Sequence, residues 1–242
     1  MSLGYLIAIT AAELLTTLFE PRVGLVLHGV LLVVLLHTAF TWEFAMRDLL
    51  LSLGFAPLIR LLSLSLPLVN FPLVYWYLIT SVPLFVTVIL TMRTLRFSRY
   101  EVGVNLRALP LQLLVGLVGL LFGYMEYRIL HPKPLAQSFT WEQLWLPALI
   151  LMFSTGFIEE LIFRGVMQRA AIDALDRFSI LYVSALFAVL HVGYKSVLDV
   201  AFVFGVALFF GYIVKKTGSI LGVSLAHGLT NIVLFLVAPF LW

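Results

Sequence analysis

Apolar residues in this chain fall in long unbroken runs, and short polar stretches separate them. A run of about 20 such residues crosses a bilayer as one helix. Continuous runs of this kind exclude the alternating pattern of a membrane β-barrel strand. The pattern predicts nine segments in order. Leu3–Phe19 comes first, interrupted by Glu13, and Glu20-Pro21-Arg22 ends it. Val23–Thr41 is the second and carries His28 and His37. Leu49–Leu66 is a weaker third, with Pro57, Arg60 and several serines, and it is expected to be kinked, tilted or partly interfacial. Pro67 and Pro72 frame a turn before Phe71–Met92. Leu109–Tyr127 is the fifth, and its Gly119-x-x-x-Gly123 would let another helix approach closely. A sixth helix starts at Leu144 and runs to about Leu175. Phe178–Val192, Val197–Val214 and Ile220–Trp242 complete the set.

Composition turns this pattern into a class. Of the 242 residues, 62% are hydrophobic and 11% charged, and the mean hydropathy is +1.11. A soluble domain has about 45–50% apolar and about 25% charged residues. The expected fold is therefore all-α, a polytopic integral membrane protein of about eight or nine transmembrane helices. It forms one integrated whole, with residues 1–92 carrying no recognised motif. No positive n-region with a cleavage site opens the chain, so the first apolar run is expected to stay as a membrane segment. Cysteine is absent, which excludes disulfides, thiolate nucleophiles and a Cys-ligated zinc.

The net charge of +3 reads as loop bias, with no nucleic-acid partner expected. If the basic loop Arg93–Arg107 is cytoplasmic and nine segments span, Arg47, Arg164, Arg169, Arg177, Lys215 and Lys216 fall on its side. Arg22, Arg128, Lys133 and Lys195 fall opposite. That bias fits the positive-inside rule and places the protein in a membrane, with a prokaryotic cytoplasmic membrane as the expectation.

The candidate chemistry lies in Gly156-Phe157-Ile158-Glu159-Glu160-Leu161-Ile162-Phe163-Arg164-Gly165. Each charge at mid-membrane costs roughly 2.5–3.5 kcal/mol, so three kept together imply a use. An ordinary i,i+4 pair at a helix end explains Glu160 and Arg164 but gives Glu159 no role. The two carboxylates lie about 100° apart around the helix, so one can be paired while the other faces a cavity. His28 and His37 do not share a helix face at ligand spacing and read as packed residues. Counted from the turn at Arg177, Glu159 is about 27 Å along its helix and His191 about 21 Å back along the next. Counted from the Gly218 turn, His227 is about 14 Å and Asn231 about 20 Å in. These four side chains thus come from three helices at similar depth, and His227 and Asn231 share one face.

A carboxylate and an imidazole can hold and deprotonate a water. An imidazole and an amide can donate to a developing oxyanion. Glu159, His191 and His227 could instead ligate zinc, although the H-E-x-x-H signature is missing. A proton relay in a transporter is a third use of the same groups.

Glu159-Glu160-x-x-x-Arg164, Phe187-x-x-x-His191 and His227-x-x-x-Asn231 follow one another on successive predicted helices. Together they resemble the E-E-x-x-x-R, F-x-x-x-H and H-x-x-x-N motifs of the CPBP (Abi) family. That family of intramembrane proteases includes the CAAX prenyl endopeptidases and bacteriocin-processing proteins. The resemblance covers about residues 100–235 and would make residues 93–242 a catalytic membrane domain. It implies that Glu159 with His191 activates water, that His227 and Asn231 form the oxyanion site, and that Glu160, Arg164 and Phe187 support them. It implies a membrane-associated protein or peptide substrate cut near its C-terminus, such as a prenylated tail, a sorting tail or a leader. A metal-free glutamate mechanism with no cofactor is the favoured expectation. The alternatives are a zinc-dependent metallopeptidase using Glu159, His191 and His227, and a non-catalytic scaffold, immunity or transport protein.

Overall fold

The computed structural model describes residues 1–65 and 72–242. Pro67, the last residue of the third predicted segment (Leu66) and the first of the fourth (Phe71) lie outside the described residues. All regular structure among the described residues is helical. Among the described residues, six helical stretches are long and apolar enough to cross a membrane, including α5 (Leu73–Leu95) and α11 (Val197–Thr217), and the chain is a multi-pass integral membrane protein.

The described residues thus give six such stretches where eight or nine were expected, for local reasons. Helix α1 (Ser2–Leu18) has 17 residues, at the lower limit of about 17 for a spanning helix. The third segment is two short helices, α3 (Phe44–Leu53) and α4 (Phe55–Ser65). Pro57 has no N–H to return to the Leu53 carbonyl, so the α3 ladder stops and restarts at Gly54. The sixth and seventh segments remain two helical stretches about the predicted turn but count as one apolar run, Trp141–Tyr194. It turns at Asp176, whose φ is +47°.

Contacts divide the chain into two compact units, Met1–Val69 with Val166–Gly211, and Asn70–Gly165 with Tyr212–Trp242. In the first, α1 and α2 (Pro21–Thr41) form a hairpin. Pro21 opens α2, where a missing N–H costs nothing, and Glu20 accepts from the Arg22 N–H at 3.2 Å. Helix α2 packs on α3 and α4, and α3 packs on α9 (Gln168–Leu175). Helix α10 (Ser179–Val189) packs on α9 and α1. The predicted helix Phe178–Val192 is thus shorter than expected. His191 lies beyond its end, where its N–H bonds the Ala188 carbonyl at 3.0 Å and a 3₁₀ turn, Val192–Tyr194, follows.

The second unit is built around α12 (Leu221–Ile232). Its main partner is α6 (Leu109–Leu130), and on another side lies the π-helical stretch Met152–Phe157 that follows α7 (Trp141–Leu151). A side chain on Gly119 would meet the Ala226 carbonyl, and one on Gly123 would lie 2.5 Å from the Thr230 carbonyl. The close approach predicted from Gly119-x-x-x-Gly123 is therefore realised against α12. The basic loop is stitched to the turn before α12. Asn105 donates to the Gly218 carbonyl at 2.7 Å, Ser219 to the Asn105 carbonyl at 2.7 Å, and Ile220 N–H to the Gly103 carbonyl at 2.9 Å.

Candidate active site

Helix α12 carries His227 and Asn231 one turn apart, and glycine fixes where that helix can lie. A methyl group on Gly156 would sit 2.6 Å from the Gly228 nitrogen and 2.7 Å from its Cα. One on Gly222 would sit 2.7 Å from the Gln112 carbonyl. Gln112 Oε1 also accepts the Gly222 N–H at 2.7 Å. Backbone therefore touches backbone on both sides of α12.

Two carboxylates face α12 from the opposite chain segment, α8 (Ile158–Glu160). Wide π turns flank it, Met152–Phe157 before and Leu161–Met167 after. Such turns are rare and concentrate at functional sites. Glu160 is wholly buried, and its Oε1 accepts from Arg164 Nη1 at 3.0 Å. The same oxygen lies 2.8 Å from His227 Nδ1. An ionised carboxylate only accepts, so Nδ1 carries the proton. The other face of the imidazole meets the second acid, with His227 Nε2 3.9 Å from Glu159 Oε2. The Glu159 side chain is 28% exposed against 10% for His227. The two adjacent acids thus differ as their helix angle implies: one is sealed in an ion pair and the other is accessible.

Asn231 is held from the same segment. Its Nδ2 donates to Thr155 Oγ1 at 2.8 Å, and Thr155 in turn donates to the Leu151 carbonyl at 2.5 Å. Sequence reasoning missed Thr155. Its signal was a pair of hydroxyls, Ser154 and Thr155, just ahead of Glu159 in an otherwise apolar run. An apolar hollow of ≈ 550 Å³ lies alongside, lined among others by Trp145, Ala148, Met152, Ile232 and Leu236.

The structure thus brings Glu159, Glu160, Arg164, His227 and Asn231 together in one unit. Phe187 and His191 belong to the other unit. There, His191 Nδ1 lies 2.9 Å from the Phe187 carbonyl. A carbonyl only accepts, so this nitrogen also carries the proton. The His191 ring lies against those of Phe187 and Tyr194.

Chemically, His227 with one proton accepts at Nε2, and with two it donates there. Asn231 spends one amide N–H on Thr155 and has a second to offer. For a cation, His227 Nε2 and Glu159 Oε2 are the pair this unit presents, one short of the three protein ligands of a catalytic zinc. Among the described residues, no group of three or more His, Asp or Glu is placed to hold an ion.

No curated protein and no solved structure matches the chain. Residues 141–233 match the family model described as type II CAAX prenyl endopeptidase, Rce1-like. The matched stretch holds all three motifs, and the family it matches is the CAAX protease family that those motifs resemble.

Proposed function

We propose that the protein is an intramembrane endopeptidase that cuts a membrane-associated protein near its C-terminus, with a prenylated CAAX tail, a sorting tail or a leader as substrate. The observation that carries this reading is the imidazole of His227, set between a sealed acid and an accessible one, inside a stretch that matches a protease family.

In this reading the Glu159 carboxylate takes a proton from a water molecule as the water oxygen attacks the scissile carbonyl carbon. The electron pair moves to the carbonyl oxygen, where His227 and the second N–H of Asn231 donate to the oxyanion. The tetrahedral species then collapses, the C–N bond breaks, and the proton goes from Glu159 to the leaving amine. Glu160 and Arg164 hold His227. His191 enters through its motif as the partner of Glu159 in activating water. The ≈ 550 Å³ apolar hollow, lined by Met152 and Ile232 of the segments that carry the site, supports a substrate with hydrocarbon or apolar side chains. The basic loop Arg93–Arg107 lies on the cytoplasmic side of a prokaryotic inner membrane.

The test uses the purified protein in vesicles with three peptide sets: farnesylated Cys-a-a-X tails, the same tails without the lipid, and leader-type peptides. Mass spectrometry locates the cut. Cleavage of one set, persisting after exhaustive chelation with no metal found by elemental analysis, is the expected result. Loss of cleavage on chelation and its return with zinc would replace the glutamate mechanism by a metallopeptidase. No cleavage of any set would favour a scaffold or transport role.

A further inference from the structure

Three charged or ionisable side chains in the first unit take no part in the reading above. Glu13 on α1 and His28 on α2 have wholly buried side chains, and Arg60 on α4 is 17% exposed. Glu13 Oε1 accepts from Arg60 Nε at 2.7 Å, and His28 Nε2 lies 3.4 Å from the same oxygen. A buried ion pair is a weak source of stability, since apolar residues of the same volume often serve as well. Stability alone leaves this pair unexplained.

The second donor of Arg60 supplies a reason. Its Nη2 donates to the Leu190 carbonyl at 2.7 Å. Leu190 caps α10, and its carbonyl belongs to the peptide group that carries the His191 nitrogen. The His191 N–H on the other edge of that group bonds the Ala188 carbonyl at 3.0 Å. A peptide group is planar, so a bond on each edge fixes its orientation and with it the His191 N–Cα bond from which the side chain departs. The ring is then held by the bond between Nδ1 and the Phe187 carbonyl. Helix α1, which carries Glu13, also packs on the turn Val192–Tyr194 just beyond. The positive charge of Arg60 at the end of α10 also suits the negative end of that helix.

We infer that Arg60, held by Glu13, is a positioning residue for His191, so that the N-terminal helices without a family motif set the geometry of a motif residue. This rests on the reading of His191 as part of the reaction. Arginine is needed because one planar guanidinium serves both acceptors, whereas lysine offers a single point of attachment.

The test is made on the full chain in nanodiscs, with ¹⁵N-histidine labelling and His191→Gln to assign the ring signals. Arg60→Met is expected to move the His191 Nδ1 resonance, to leave that of His227 in place, and to lower kcat more than tenfold with KM within twofold on the best peptide. Arg60→Lys should recover part of kcat. In the His191→Gln background, Arg60→Met should lower the residual rate no further. If Arg60→Met fails to fold, Glu13→Gln, which keeps the shape and removes the charge, should show the same shift to a smaller degree. Unchanged His191 resonances in Arg60→Met or Glu13→Gln would overturn the inference. So would an equal fall in rate with and without His191. Shifted resonances beside a wild-type rate for His191→Gln would keep the positioning contact and overturn the catalytic role of His191.

Discussion

Replacing Gly156 with alanine places a methyl group where the backbone of α12 already stands. The new carbon would lie 2.6 Å from the Gly228 nitrogen, 2.7 Å from its Cα and 2.9 Å from the Ser224 carbonyl oxygen. All three are backbone atoms, so no rotamer change relieves them. Helix α12 must retreat by most of an ångström. The His227–Glu160 contact of 2.8 Å can lengthen by only a few tenths before it leaves the hydrogen-bonding range. Overpacking costs about 1–3 kcal/mol, and a weakened bond to a charged acceptor up to about 1.5–3 kcal/mol more. Gly205→Ala is the control, because nothing lies within 4 Å of a methyl group there. It should gain about 0.8–1 kcal/mol from helix propensity. Denaturant unfolding in mixed micelles, with the cleavage assay on the same preparations, reads both. Gly156→Ala should lose stability and activity, and Gly205→Ala should lose neither. Wild-type stability in Gly156→Ala would refute the argument that backbone contact sets the position of α12.

Further outcomes follow from the same geometry. Arg164→Met leaves the buried Glu160 carboxylate without its ion pair and should cost about 3–5 kcal/mol in unfolding. Thr155→Val keeps the volume but removes the acceptor of Asn231. It should lower kcat well beyond its stability cost of about 1–3 kcal/mol, as comparison of kinetics with unfolding will read. Gln112→Leu orphans the buried Gly222 N–H and should cost about 1–3 kcal/mol, seen as faster amide exchange at the start of α12.

Much of the fold was legible because a membrane span advertises itself. Apolar runs bounded by Glu20-Pro21-Arg22, the Arg93–Arg107 loop and Lys215-Lys216 became helices with ends close to those points. The glycines of α6 also read correctly, since a missing Cβ has one common use between membrane helices. Helix count was less legible. Pro57 splits a segment whose hydropathy is continuous, whereas the turn read at Arg177 is present, one residue earlier, at the positive φ of Asp176. In the site, the one-turn spacing of His227 and Asn231 and the angle between Glu159 and Glu160 follow from helix geometry. Which acid is sealed depends on α12, more than sixty residues away, and no local pattern states it. Thr155 and Arg60 were hidden for a similar reason. One is a hydroxyl with many possible uses, and the other binds a backbone carbonyl, which leaves no mark on the partner's sequence.

The central claim concerns the accessible acid, and one pair of variants tests it most directly. Glu159→Ala and Glu159→Gln are purified in nanodiscs, shown to unfold like the wild type, and assayed on the peptide that the wild type cleaves best. The account predicts that both lose cleavage entirely while retaining the fold. Cleavage by either variant at the wild-type rate would contradict it.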